Sequence, residues 1–578
     1  MEDITMRKND TNTRNINVGK IVWRTCLTLV IVGLYLFITQ YFLLCPINLK
    51  SVGFWFMCFG LLVILTIILG CYYWHDEEYE DASRWLVLTF KICLILAIAC
   101  IVIIIVTAIG GSTMFHAGEY SNLIEIQDGS IEEDIPDVMN DRLIVVDQKT
   151  AQKLGDRQLA YIPNSTYYEV DSEYNLVSIN GEYYRISPVN YGGPVKASKA
   201  KGIPAYVQVQ AANTGNAQEA NVVLFEESMV YSPSAYWSHD LARHLHFTYP
   251  TYMFGKSFFE VSDDGTPYWV TPIETHTIWL FGGSVEKSVV VTNAITGECE
   301  EFANSNVPQW IDHVHSVDYL MERISMHYKY RGGWWNAHFG KTDVYATSYD
   351  YRSTKKDENE FTPFVGYNSI VGKDGKVYFY TGITPVNNAE SNIGFVLVDP
   401  RTAEAKFYPA MGAEESSAQA AAEGLVQNLR YSASFPTIVQ VNGKIAYFMS
   451  LKDNAGLVQR YAICNVENYS KVVEAETIEK AIAKYTGHEM VTTTDSDSDT
   501  PEIETRDVQG KVSRVETAEK DGNTYYFFTL ESDENVYVSS IGNSSLQPMK
   551  LANGANVALT CYDSTEEGIV IVTVISFK

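Results

Sequence analysis

The sequence predicts a membrane α-helical part of three transmembrane helices, joined to a large β-rich α+β exterior part that ends in a small β-barrel. Three observations predict it. Residues 94–109 contain no charged side chain, and with the apolar residues before them they are long enough to cross about 30 Å of hydrocarbon. Two more apolar runs, 21–44 and 52–74, precede this one. The remaining residues, more than two thirds of the chain, are polar and alternate in short strand-like runs separated by turn signals such as Asn180-Gly181 and Asn553-Gly554.

Composition narrows the function. The net charge is −27, and phosphate binding needs a basic surface, so nucleic acid is not an expected partner. The 38 tyrosines suit strands and wet apolar faces. Six of the nine cysteines lie in or beside the apolar block. Cys299, Cys464 and Cys561 lie beyond it, widely spaced, and form neither a disulfide framework nor a CxxC metal site.

Residues 1–20 carry Arg7, Lys8, Arg14 and Lys20 and no apolar periodicity; they are expected to be a disordered cytoplasmic tail. Residues 21–110 are the three-helix domain. A cleaved signal peptide is rejected for 21–44 because the run is too long and Leu43-Leu44-Cys45 lacks the small residues of a cleavage site. The short 46–51 turn predicts a helical hairpin, and Lys91 lies close enough to its helix start to reach the interface. The spans show no charge at mid-membrane, which counts against a transporter component. Positive residues cluster before the first span. The 75–84 loop has Arg84 amid five acids, and no Lys or Arg occurs from 110 to 141. This puts the N-terminus in the cytoplasm and the large C-terminal part outside the cell membrane.

Residues 111–201 are expected to be a connector and first exterior segment. A strand over 143–147 precedes a helix from Thr150 to Leu159, a hairpin crosses Asn180-Gly181, and a loop covers 192–201. Residues 202–488 show a weak repeat of four units. Their helices are expected at 234–244, 310–326, 416–429 and 478–485, each after two or three strands. One unit alone leaves a helix face and a sheet face uncovered, and several together bury both. Residues 489–506, with Thr-Asp-Ser-Asp-Ser-Asp, read as an acidic linker. Residues 507–578 carry five short strands.

Val291-Thr-Asn-Ala-Ile-Thr-Gly-Glu298 and Val398-Asp-Pro-Arg-Thr-Ala-Glu404 resemble the strand–turn–strand of PepSY-like domains. Ala403 departs at the turn glycine, and the fourth unit shows no such turn. That resemblance implies restraint of an envelope peptidase, as regulator or inhibitor. The last segment resembles an OB-like barrel, a fold that docks sugars or partners. The segments Tyr249-Pro-Thr-Tyr-Met-Phe-Gly255 and Gly265-Thr-Pro-Tyr-Trp269 resemble an uncharacterised multi-span family of Gram-positive bacteria, which implies no activity.

No catalytic motif, cofactor loop or metal motif is present. His239, His244 and His246, with Asp240, are the densest histidine cluster. A strand would put His244 and His246 on one face for zinc, but the expected helix breaks that geometry. His313 and His315 are expected in a helix, two residues apart, where they do not face each other. Trp334-Trp335 on a loop are either exposed contacts for a glycan, partner or membrane face or buried anchors. The expected function is therefore a non-enzymatic, membrane-anchored envelope protein. Its exterior modules bind or scaffold an envelope partner, with homo-oligomerisation expected.

Overall fold

The computed structural model describes residues 18–75, 80–138, 142–212, 219–351, 366–387, 391–487, 506–520, 523–533, 535–540, 552–563 and 569–577. Residues 1–17 of the expected tail, most of the acidic linker and the Asp521-Gly522 turn lie outside the described residues, while residues 18–20 belong to the first helix. The chain divides into two compact units, 1–489 and 490–578.

Three helices open the first unit: α1 (Val18–Tyr41), α2 (Val52–His75) and α3 (Glu80–Gly110). Their apolar stretches, Val22–Tyr41, Val52–Tyr72 and Leu86–Gly110, have mean hydropathies of 1.8, 2.6 and 3.4 and are scarcely buried within the protein. Helices apolar all round, and left uncovered, are suited to hydrocarbon. α1 stops at Tyr41, short of the expected 44; Leu44 adopts φ +48°, which a helix cannot hold. α1 and α2 meet where Tyr35 donates to the Met57 carbonyl at 2.8 Å. Gly60 leaves room for that ring, since a Cβ there would lie 2.3 Å from the Tyr35 hydroxyl oxygen.

The β-rich body is fastened to one end of these helices. Ile47 N–H donates to the Pro250 carbonyl, Asn48 Nδ2 to Thr251 O and Lys50 Nζ to His276 O at 2.5 Å. Arg243 Nε donates to Tyr41 O. At the end of α3, Tyr120 donates to Gly111 O at 2.7 Å and accepts from Gly283 N–H. The α1–α2 turn and the C-terminal end of α3 therefore share one face of the helical layer, as three antiparallel spans require.

Four antiparallel sheets follow, all built to one plan. In each, two short strands share one edge of a long strand, and two further strands extend the other edge. In the first sheet the short strands are Tyr168–Val170 and Asn175–Ile179 and the long strand is Glu182–Tyr191, followed by Ile203–Gln210 and Ala220–Met229. The long strands of the other sheets are Pro267–Ile278, Val377–Pro385 and Lys444–Lys452. A helix precedes each sheet: Gln148–Asp156, Leu241–Thr248, Val317–Tyr330 and Glu415–Leu425. A last helix, Ile478–Thr486, closes the series. Four sheets share this plan, and the first of them begins before 202. Glu182–Tyr191 and Ile203–Gln210 are neighbours in one sheet, so the boundary drawn at 201/202 cuts a ladder.

Several local expectations change. Residues 143–147 form no strand; they contribute one isolated bridge, Ile144 with Ala212, yet Leu143 to Val146 are buried because they fill the space between sheets. The 192–201 loop contains a short helix, Pro194–Lys199, which proline at its first position starts. The helix expected at 234–244 runs Leu241–Thr248, capped by Asp240 accepting from Arg243 N–H. The helix expected at 310–326 runs Val317–Tyr330, capped by Ser316. The fourth unit does have its turn. Asn465 Oδ1 accepts from Asn468 N–H, as Asn293 Oδ1 does from Thr296 and Asp399 Oδ1 from Thr402. One Asx device thus serves three sheets with different residues.

The segment after α3 stitches the sheets together. Ile126–Asp128 adds a parallel strand to Ala405–Ala413, and Asp137 bridges Gln440. Gln440 Nε2 donates to the Ile131 and Ile135 carbonyls. The buried core of the body accordingly spans several sheets.

The second unit holds five strands, Arg506–Lys520, Asn523–Leu530, Val536–Ser540, Asn556–Asp563 and Ile569–Phe577. The first pairs with both the second and the fourth. The third pairs parallel with the fifth, and the fourth with the fifth. Val512, Phe528, Leu530, Tyr537, Val557, Leu559, Cys561 and Val570 fill the middle.

Candidate functional site

Where the four sheets converge lies an open-mouthed cavity of about 450 Å³. Each sheet contributes: Arg185 from the first long strand, Phe258 from the second sheet, Ser369 and Phe379 from the third, and Lys452 from the fourth. Asp147 and His313 reach it from the loops before two helices. The walls mix aromatic rings with amides and hydroxyls, the composition of a small-molecule pocket.

Asp147 organises the charged wall. Its Oδ1 caps the Gln148–Asp156 helix by accepting from Thr150 N–H at 2.9 Å, and its Oδ2 accepts from Lys452 Nζ at 2.5 Å. Burial raises its carboxyl pKa, but the Lys452 ammonium and the Thr150 N–H outweigh burial and hold it at about 2. Arg185 is 4% exposed. Its Nε donates to Val146 O at 2.6 Å and its Nη1 to Tyr174 O at 3.3 Å. Burial pulls its pKa down and the Asp147 charge partly restores it. At the mouth, Lys256 pairs with Glu173.

His313 is not helical. It lies ahead of the Val317–Tyr330 helix, buried, with Nδ1 2.8 Å from Glu260 Oε1. Burial pushes the imidazole down to about 4, so it is neutral at pH 7, and burial pushes the Glu260 carboxyl up. His315 turns to a different acid, with Nδ1 2.5 Å from Glu286 Oε2. The two residues are separate anchors to two strands of the second sheet. A second polar cluster is self-contained. Glu415 accepts from Ser348, Tyr380 and Asn392, so every donor around it is matched.

The histidines at 239–246 do not converge. His239 ends a 3₁₀ turn, Trp237–His239, with its ring against Tyr231. His244 and His246 both lie on the Leu241–Thr248 helix. His244 Nε2 sits 2.7 Å from Gly297 O, while His246 Nε2 faces Gln40 Oε1 of α1 at 3.0 Å. Among the described residues no three His, Cys, Asp or Glu side chains come together in a metal-holding group. Trp334 and Trp335 lie at a helical turn leading into a π-helical stretch, Asn336–Gly340, and they divide the two readings. Trp334 packs against Ala117, Tyr330 and Ala337, whereas Trp335 is 64% exposed and stacks on exposed Phe339.

Arg185, Asp147 and Lys452 were invisible as a group in the sequence. Only Asp147, three residues before Thr150 at a helix start, carries a local signal. Comparison with family models and with curated proteins finds no match.

Proposed function

We propose that this chain is a membrane-anchored envelope protein whose four exterior modules bind or scaffold a partner. The cavity where the modules meet is its binding site. One observation carries the reading: four sheets of one plan meet at one shared cavity, on a body tied by backbone and side-chain hydrogen bonds to the α1–α2 turn and the end of α3. A scaffold must hold its binding surface against its anchor, and these bonds support that reading. The charge distribution around the spans supports an N-terminus in the cytoplasm with the body outside. The five-stranded second unit, with an apolar centre and paired strands on all sides, supports a small OB-like barrel as an additional docking module.

Chemical cross-linking of intact cells, followed by solubilisation and affinity recovery of the tagged chain, tests the reading. Recovery of a discrete protein partner or a second copy is expected; recovery of uncross-linked monomer alone overturns it. Protease added to the same cells is expected to digest the body, and a body spared after Ile109 overturns the orientation.

A further inference from the structure

We infer that the central cavity binds a small organic carboxylate, held by the Arg185 guanidinium. The inference rests on reading that cavity as the binding site. The argument begins with sheet register. Counting from the first paired residue of each long strand, Glu182, Pro267, Val377 and Lys444 are equivalent. Three residues further on, the four sheets carry Arg185, Val270, Tyr380 and Tyr447, all buried. Three copies fill this position with an uncharged side chain that suits a core. One copy places a guanidinium there, and it lines the cavity.

That guanidinium is not balanced by the protein. A buried cation needs a paired anion or it loses its hydration without compensation. Arg185 satisfies two donors with backbone carbonyls, which supply dipoles but no charge, and it forms no carboxylate ion pair among the described residues. Asp147, the acid whose charge acts on it, is already bonded to Lys452. Two cations therefore share one carboxylate in this wall. Glu173 pairs with Lys256 and Asp318 accepts from the Tyr349 hydroxyl; with Lys149, the lining carries four basic side chains against three acidic ones. In a chain of net charge −27, a wall with one positive charge in excess is an exception that a monoanion completes. A carboxylate matches it in charge and in the forked geometry of an arginine. The surrounding Phe258, Phe379 and Tyr367 rings and the Gln419 amide fit an organic body rather than a bare ion, and about 450 Å³ is within the range of small-ligand pockets.

Calorimetric titration of the full chain in detergent tests this with two acid–neutral pairs. N-acetylphenylalanine is compared with its carboxamide, and glucuronate with methyl glucoside. The better acid is expected to bind roughly tenfold or more tightly than its neutral twin, and which acid binds tells a peptide terminus from a sugar acid. Arg185→Met is expected to erase the difference. Arg185→Lys, which keeps the charge and loses the fork, is expected to retain a weakened preference and covers the case in which the methionine variant fails to fold. Equal binding of acid and twin, binding unchanged in the folded Arg185→Met chain, or no binding of either acid overturns the carboxylate site. If cross-linked partners are still recovered in those cases, the scaffolding reading stands and this inference alone falls.

Discussion

Replacing Asp147 by asparagine separates charge from geometry at the central wall. Asparagine caps a helix as well as aspartate does, so the bond from Thr150 N–H survives. What disappears is the negative charge facing Lys452, an ammonium whose side chain is 4% exposed. Removing one member of a buried pair costs about 3–5 kcal/mol, because the remaining charge is left without compensation. A unit of this size melts with an entropy near 1 kcal/mol per kelvin at about 2.1 cal/mol/K per residue, so about 3 kcal/mol lowers Tm by about 3 °C. Scanning calorimetry of the full chain at pH 7 reads that shift. The pH dependence provides a second check. The Asp147 carboxyl drops from its ordinary 3.8 to about 2 in the folded chain, which corresponds to about 2 kcal/mol. A depressed folded value means the stabilisation is complete above about pH 4 and is lost as pH falls through 2. The gap between wild type and Asp147→Asn is therefore expected to close over pH 4 to 2. A variant that melts with wild type at pH 7, or a gap that persists unchanged at pH 2, refutes the charge argument. Asp147→Asn combined with Lys452→Met removes the stranded ammonium and is expected to recover part of the loss, Arg185 still lacking the Asp147 charge.

Ala403 holds φ +61° at the turn position where the second sheet has Gly297 at +77°; Ala403→Gly is expected to raise stability by about 0.5 kcal/mol, read as Tm, since relief of left-handed strain outweighs the added unfolded-state freedom. Trp334→Ala is expected to cost about 3 kcal/mol and Trp335→Ala less than about 0.5 kcal/mol by the same assay; equal losses would contradict the division between anchor and exposed ring. Glu415→Ala strands the Ser348, Tyr380 and Asn392 donors in a buried cluster and is expected to cost more than about 3 kcal/mol, with a folded yield near wild type as the contrary result.

Chain chemistry alone determined three helices long and apolar enough to cross a membrane, because about twenty consecutive apolar residues satisfy their backbone within one helix. It also determined the hairpin at Asn180-Gly181, where two residues must take positive φ, and the five strands of the last segment, where alternation is clean. Repetition showed as well, though out of phase, because the helices were taken as ends of units when they are beginnings. What escaped were contacts between distant residues. Nothing near Arg185 marks it as the charged member of an otherwise uncharged set, since that follows from the register of four separate ladders. Lys452 reads as one more polar strand end until the fold brings it to Asp147, 305 residues away. His313 and His315 were expected on one helix, facing apart, and only the packing of the second sheet shows them ahead of it, each against its own glutamate. Local pattern is encoded by neighbours in sequence, where dihedral preference and solvent periodicity act. A buried charge network depends on which surfaces meet, and only the packed tertiary structure decides that.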